Sequence, residues 1–291
     1  MLNPFSSHFR RYRRFLLYPL ISVFMAVSLV VTTPQVSQGI PLFELLLRGI
    51  QIIQLSSISD NQEVQLGKQI NQQLVRQEIR LYRNEQVNRY INQIGQRLAK
   101  VSERTDIPYT FQVVDNPSVN AFATMGGFVY MNTGLLKEAD NEAEVASVMA
   151  HEIAHIVGRH AIKQMKEAAI ANGLTAVAGL DRNVAIQLGV ELALRRPNSR
   201  QHELEADKLG LENLIKAGYA PYGMVSFMEK LLKTGRSVPE FLSTHPATPQ
   251  RINALEQAID PNTAFVGDGL DEIAYQNQIR PLLRNKATGN R

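Results

Sequence analysis

Two histidines four residues apart, His151 and His155, constrain this 291-residue chain more than any other feature, because the segment that carries them is otherwise almost entirely apolar. Val145, Ala146, Val148, Met149, Ile153, Ala154, Ile156 and Val157 surround them, the pattern of a buried helix. The only other polar groups in the run are Ser147 and Glu152. On a helix, positions i and i+4 share a face, about 6 Å apart. Two imidazoles and a carboxylate buried without partners are costly, and a shared metal ion removes the cost. Zinc takes imidazole nitrogens at about 2.0–2.1 Å in a tetrahedral arrangement, and a catalytic site leaves one position to water. Glu152, beside the first histidine, reaches that position. The stretch is thus HExxH, a pattern in which the metal acidifies a water and the glutamate takes its proton.

A third ligand decides the class. In HExxHxxGxxH a histidine stands ten residues after the first; Gly158 fits, but position 161 is Ala161. His160 comes one residue early and, on a continuous helix, lies about 180° from His151, which predicts a structural role. The other source is SRQHELEADKLG at 199–210. There Glu203 and Asp207 share a helix face, so Glu203 can ligate a metal while Asp207 receives the free ring N–H of a ligating histidine. Glu205 points about 200° from Glu203 and is expected off the site. Without HExxH upstream, the same residues would read as an ordinary solvated acidic face.

AHEIAHIVGRH and SRQHELEADKLG, together with NAFATMGGFVYMNTGLL at 120–136 and STHPATPQRI at 243–252, resemble the CaaX-prenyl-protease-like zinc metallopeptidases, gluzincins of the HtpX, BepA and OMA type. The resemblance runs from about Asp60 to about Leu255. It implies a mainly helical α+β, zincin-like domain with a small sheet. It further implies one zinc ion per subunit on His151, His155 and Glu203, Glu152 as general base, and Asp207 behind the ligands. His245 is then either a regulatory or transition-state group near the metal or a turn histidine before Pro246, and His245 or Arg251 is the expected donor to an oxyanion. By the same resemblance, an extended substrate strand adds to a sheet edge at Gly127, Phe128, Val129, Tyr130, Met131 and Asn132; the alternative is an ordinary core hairpin. Family members tend to remove misfolded or misassembled membrane and envelope proteins, which implies proteolytic quality control. A zinc-stabilised envelope chaperone or binding module is the rival.

Four segments are expected. Residues 1–39 carry Arg10, Arg11, Arg13 and Arg14, an apolar run from Phe15 to Val31, and small residues at Ser37 and Gly39. They read as a cleaved export signal or a retained membrane anchor, either of which places the enzyme domain in the periplasm or another extracytoplasmic envelope compartment. These arginines account for the whole formal charge of +4, so the remainder is neutral and no nucleic-acid partner is expected. Residues 40–58 have the spacing of an amphipathic helix, lying on a membrane or packed on the domain. Residues 59–260 form the metal-bearing domain. Within it helices are expected at Asp60 to about Arg80, over Val87 to Val101, from about Asn141, after Pro197, from Pro221 to Lys233, and from Pro249 to Ile259. Strands are expected at Thr105–Asp115, Asn120–Thr124 and Phe128–Asn132. The run AAIANGLTAVAGL at 168–180 is either a flap over the site or a packed helix of small residues. Residues 261–291 are expected as an irregular tail with a short helix near Ile273. The absence of cysteine excludes disulfides and thiolate ligands.

Overall fold

The computed structural model describes residues 52–171, 180–233, 240–246 and 249–284. The N-terminal leader, residues 40–51 of the linker and residues 172–179 of the small apolar run lie outside the described residues. The described chain opens with a short strand, β1 (Ile52–Ile53), and a 3-10 turn at Leu55–Ser57, so the end of the expected linker helix is not an α-helix. Helix α1 (Asp60–Gln73) starts at Ser59, whose hydroxyl accepts from the Gln62 amide while the Gln62 side chain accepts from the Ser59 amide. This reciprocal cap satisfies two of the donors that a helix start leaves open. One wider turn, Leu74–Glu78, closes it. Helix α2 (Glu85–Ala99) is capped by Asn84 and buries Val87, Tyr90, Ile91, Ile94 and Leu98, the face its spacing predicts.

A three-stranded sheet follows: β2 (Thr110–Val114), β3 (Ala121–Thr124) and β4 (Phe128–Asn132), in spatial order β2-β4-β3. β4 is parallel to β2 and antiparallel to β3. The tight turn between β3 and β4 uses positive φ at Gly126 (77°) and Gly127 (95°), which glycine adopts without steric cost. β4 is therefore the middle strand, and the expectation of a substrate-binding edge at Gly127–Asn132 is overturned. The reason is visible in its composition. Val129 and Met131 pack into one apolar core and Phe128 and Tyr130 into a second, so the unbroken run Phe-Val-Tyr-Met marks a strand buried on both faces.

A short helix α3 (Thr133–Glu138) leads to α4 (Glu142–Val157), capped by Asn141 and buried from Ala143 through Ile156. α5 (His160–Ala171), β5 (Leu180–Asp181) and α6 (Arg182–Arg195) follow, with β5 pairing antiparallel to β1. α7 (Arg200–Lys216) is capped by Ser199 and buries Glu203, Ala206, Asp207, Gly210, Leu211 and Leu214 along one stripe against α4. α8 (Tyr222–Lys233), α9 (Glu240–Thr244) and α10 (Pro249–Ala258) complete the packing round α4 and α7. The tail, expected to be irregular, forms α11 (Glu272–Gln278) and α12 (Arg280–Arg284) and buries Tyr275, Ile279 and Leu282. The architecture is mainly helical α+β, as the sequence suggests. No helix among the described residues is long and apolar enough to cross a membrane.

Gly210 lets α7 approach the helix carrying the histidines: a Cβ there would lie 3.1 Å from both the Cα and the N of His151. Gly210→Val is expected to push the helices apart and lower the unfolding free energy by about 1–3 kcal/mol, read from a urea titration.

Candidate metal centre

His151 and His155 project from one face of α4, with their Nε2 atoms 3.0 Å apart. Facing them, Glu203 in the first turn of α7 places Oε2 3.4 Å from His151 Nε2 and Oε1 3.4 Å from His155 Nε2. His245, just after α9, adds a fourth group, its Nδ1 3.3 Å from His151 Nε2 and 3.1 Å from Glu203 Oε1. One ligand atom from each of the four lies within 4.8 Å of all the others, and all four residues are buried. Ligand atoms at zinc's bond lengths, placed tetrahedrally, stand about 3.3 Å from one another. The donor set of imidazoles and one carboxylate suits that ion. Burial drives the pKa of His155 well below the ordinary histidine value, which keeps it neutral and able to ligate. Beside these atoms both oxygens of Glu152 are buried and make no hydrogen bond, although Oε1 is 3.5 Å from His245 Nε2. Burial raises its pKa. A carboxylate left without a donor at the convergence of four ligand atoms fits a site that holds a metal ion and a water.

One turn along α7, Asp207 Oδ1 lies 3.1 Å from His151 Nδ1. With the proton on Nδ1, the lone pair of His151 Nε2 is turned to the cluster. Arg251 on α10 is 1% exposed, and its guanidinium is directed at the same acids. Its Nε and Nη2 each donate to Asp207 at 2.6 Å, and Nη1 is 2.6 Å from Glu203 Oε2. Nη1 also donates to the Pro246 carbonyl at 3.0 Å. Burial alone would raise the Asp207 pKa; Arg251 and His151 outweigh it and hold it below the usual range. The candidate oxyanion donor Arg251 thus faces carboxylates.

His160 stands where continuous-helix spacing does not put it. α4 ends at Gly158, Arg159 takes a left-handed φ of 54°, and α5 restarts so that His160 Nδ1 comes 2.7 Å from His155 Nδ1. On the other side its Nε2 is 3.2 Å from Glu205 Oε2, which Lys163 Nζ approaches at 3.3 Å. His160 lies outside the cluster, yet it touches one of its four groups, His155. Arg159 is held at its turn by Glu63 at 3.0 Å and by the Ile58 carbonyl at 2.8 Å. Both oxygens of Glu63 in turn receive Arg104, each at 3.1 Å. The one signal available in the sequence was Gly158, a residue favoured where helices stop.

The sheet edge near the cluster belongs to β3. Phe122, Ala123 and Met125 line a cleft together with Glu152, His155 and His245. The Asn132 amide donates to the Asn120 carbonyl, so alternation directs Phe122 and Thr124 to β4 and turns the N–H and C=O of Ala121 and Ala123 outward.

Arg251→Ala leaves Asp207 and Glu203 buried without their shared counter-ion. The chelator-treated protein is expected to lose about 3–5 kcal/mol of stability in a urea titration. Arg251→Lys should recover only part, because an ammonium cannot fork across two carboxylates.

In sequence, residues 85–259 match the model of Peptidase family M48. The beta-barrel assembly-enhancing protease of Escherichia coli strain K12 is 34% identical over 213 residues, covering 68% of this chain and 44% of that protein. The mitochondrial metalloendopeptidase OMA1 of Arabidopsis thaliana is 37% identical over 171 residues, covering 55% of this chain and 33% of that protein. Its namesake in Saccharomyces cerevisiae is 33% identical over 162 residues, covering 52% and 47%. The chain spans less than half the length of each of these relatives. The family match takes in α2 through α10, and with them all four groups of the cluster; over more than half of its length, the chain belongs to peptidase family M48.

Proposed function

We propose that this chain is a zinc-dependent endopeptidase, with one ion per subunit held by His151, His155 and Glu203. The observation that carries the reading is the convergence of these side chains beside a buried Glu152 whose two oxygens lack hydrogen-bond partners. Zinc bound there supplies Lewis acidity, which lowers the pKa of a water and polarises a carbonyl oxygen. Glu152 takes the proton of the attacking water and hands it to the leaving amine. Asp207 fixes the His151 tautomer, and Arg251 holds Asp207 and Glu203 in register. His245, with Nδ1 3.3 Å from His151 Nε2 and 3.1 Å from Glu203 Oε1, would take the fourth position of a tetrahedral ion, the one a water needs. We therefore read the described conformation as latent, with His245 withdrawing on activation.

The substrate lies extended along β3, exchanging main-chain hydrogen bonds with Ala123, the strand's one partly exposed residue. Recognition of this kind reads backbone before side chains, which suits unfolded or misassembled proteins. The name of the beta-barrel assembly-enhancing relative supports envelope or membrane proteins as the substrate class. Residues 1–39, as a cleaved signal or a retained anchor, direct the chain to an extracytoplasmic envelope compartment, and residues 1–58 supply its membrane contact.

The test is digestion of an unfolded model protein by the purified chain, with and without chelator. Glu152→Gln is expected to keep zinc and lose cleavage, His151→Ala to lose both, and His245→Ala to cleave faster than wild type. Ala123→Pro removes an outward N–H from an edge strand, so the protein should fold, bind zinc and show a raised KM. Zinc-loaded wild type and His245→Ala that both fail to cleave would sink the peptidase reading and leave a zinc-stabilised envelope chaperone or binding module.

A further inference from the structure

The geometry points to His160 as a positioning residue for the metal centre, acting through His155 as the inner half of a two-step hydrogen-bond chain that ends on Glu205. The inference rests on the zinc reading above. His155 turns Nε2 to the cluster, 3.0 Å from His151 Nε2, so a lone pair is needed there and the ring proton must sit on Nδ1. The group facing that Nδ1, at 2.7 Å, is His160 Nδ1. For the contact to be a hydrogen bond, His160 must accept on Nδ1 and carry its own proton on Nε2. That Nε2–H then donates to Glu205 Oε2 at 3.2 Å. One carboxylate at the half-exposed end of the chain thereby fixes the tautomers of two imidazoles. His151 has Asp207 Oδ1 facing its Nδ1 directly, at 3.1 Å; among the described residues, His155 Nδ1 meets a second histidine instead and reaches a carboxylate through it.

Three features hold His160 in this role. Its ring stacks face to face on His202, with centroids 4.3 Å apart and planes 13° from parallel. It is 0% exposed. A Cβ on Gly158 would meet the His160 ring at 2.5 Å, so the ring occupies space that only glycine leaves at that position. With Arg159 in the left-handed region, this turns a residue five places beyond His155 back onto it.

The test is the zinc dissociation constant, measured by competition with a chelator, in the full chain and its variants. His160→Phe keeps a flat ring on His202 and removes the acceptor; loss of such a support is expected to weaken zinc binding about 10- to 100-fold. His160→Gln restores an acceptor oxygen and should recover most of the affinity. Glu205→Ala, at the exposed end, should weaken binding in the same direction by less, and it serves if His160→Phe does not fold. Imidazole nitrogen shifts in the zinc-loaded protein should place protons on His155 Nδ1 and His160 Nε2. Wild-type affinity in both His160→Phe and Glu205→Ala, equal losses in His160→Phe and His160→Gln, or a proton found on His160 Nδ1 would overturn the inference. A wild-type chain that binds no zinc would instead overturn the reading on which it rests.

Discussion

Everything around α4 answers to one constraint: ionisable groups carried into an apolar interior must find partners there. α4 is buried over nearly its whole length, so His151, Glu152 and His155 cannot turn to water. α7 brings two acids to them, α10 brings the arginine that pairs with both acids, and the end of α9 brings another imidazole. Apolar packing alone would let these helices slide over one another. The charged contacts set their rotation and register, because a shift of one residue would strand a carboxylate or a guanidinium. Fold and site are accordingly one object.

Much of this was readable from helical spacing. His151 with His155 and Glu203 with Asp207 are i,i+4 pairs, and both pairs meet as that geometry requires. The structure departs from these expectations where periodicity gives way to tertiary context. The strand Phe128–Asn132 was recognisable as a strand, but an unbroken apolar run already argued for burial on both faces and hence for the centre of the sheet. His160 lies outside the cluster, as expected, but off the position a continuous helix gives it, because α4 stops at Gly158; a non-glycine residue in the left-handed region leaves no mark in the sequence. The tail is polar in composition and reads as irregular, although Tyr275, Ile279 and Leu282 fall on a single helical stripe.

His245 and Arg251 sit on one stretch of chain yet are held differently. Arg251 is fixed by paired charge. His245 is held by a softer set of contacts: its amide donates to the Phe241 carbonyl at 2.8 Å, and its ring stacks on Phe241 with centroids 4.6 Å apart. The Phe241 amide in turn donates to the Val119 carbonyl at 2.9 Å, two residues before β3 begins. The platform beneath His245 and the edge strand β3 are therefore joined by a backbone hydrogen bond just before the strand, while Arg251 ties the acids to the Pro246 carbonyl beside His245.

The Glu63 cluster has a consequence for where the working unit begins. Its carboxylate lies on α1, upstream of the family match, but its partners Arg104 and Arg159 lie inside it, and Arg159 is the turn that swings His160 onto His155. A piece cut at the family boundary would keep all four groups of the cluster and lose the anchor of the residue behind one of them. The boundary of sequence similarity and the boundary of mechanical self-sufficiency differ in this chain by a helix.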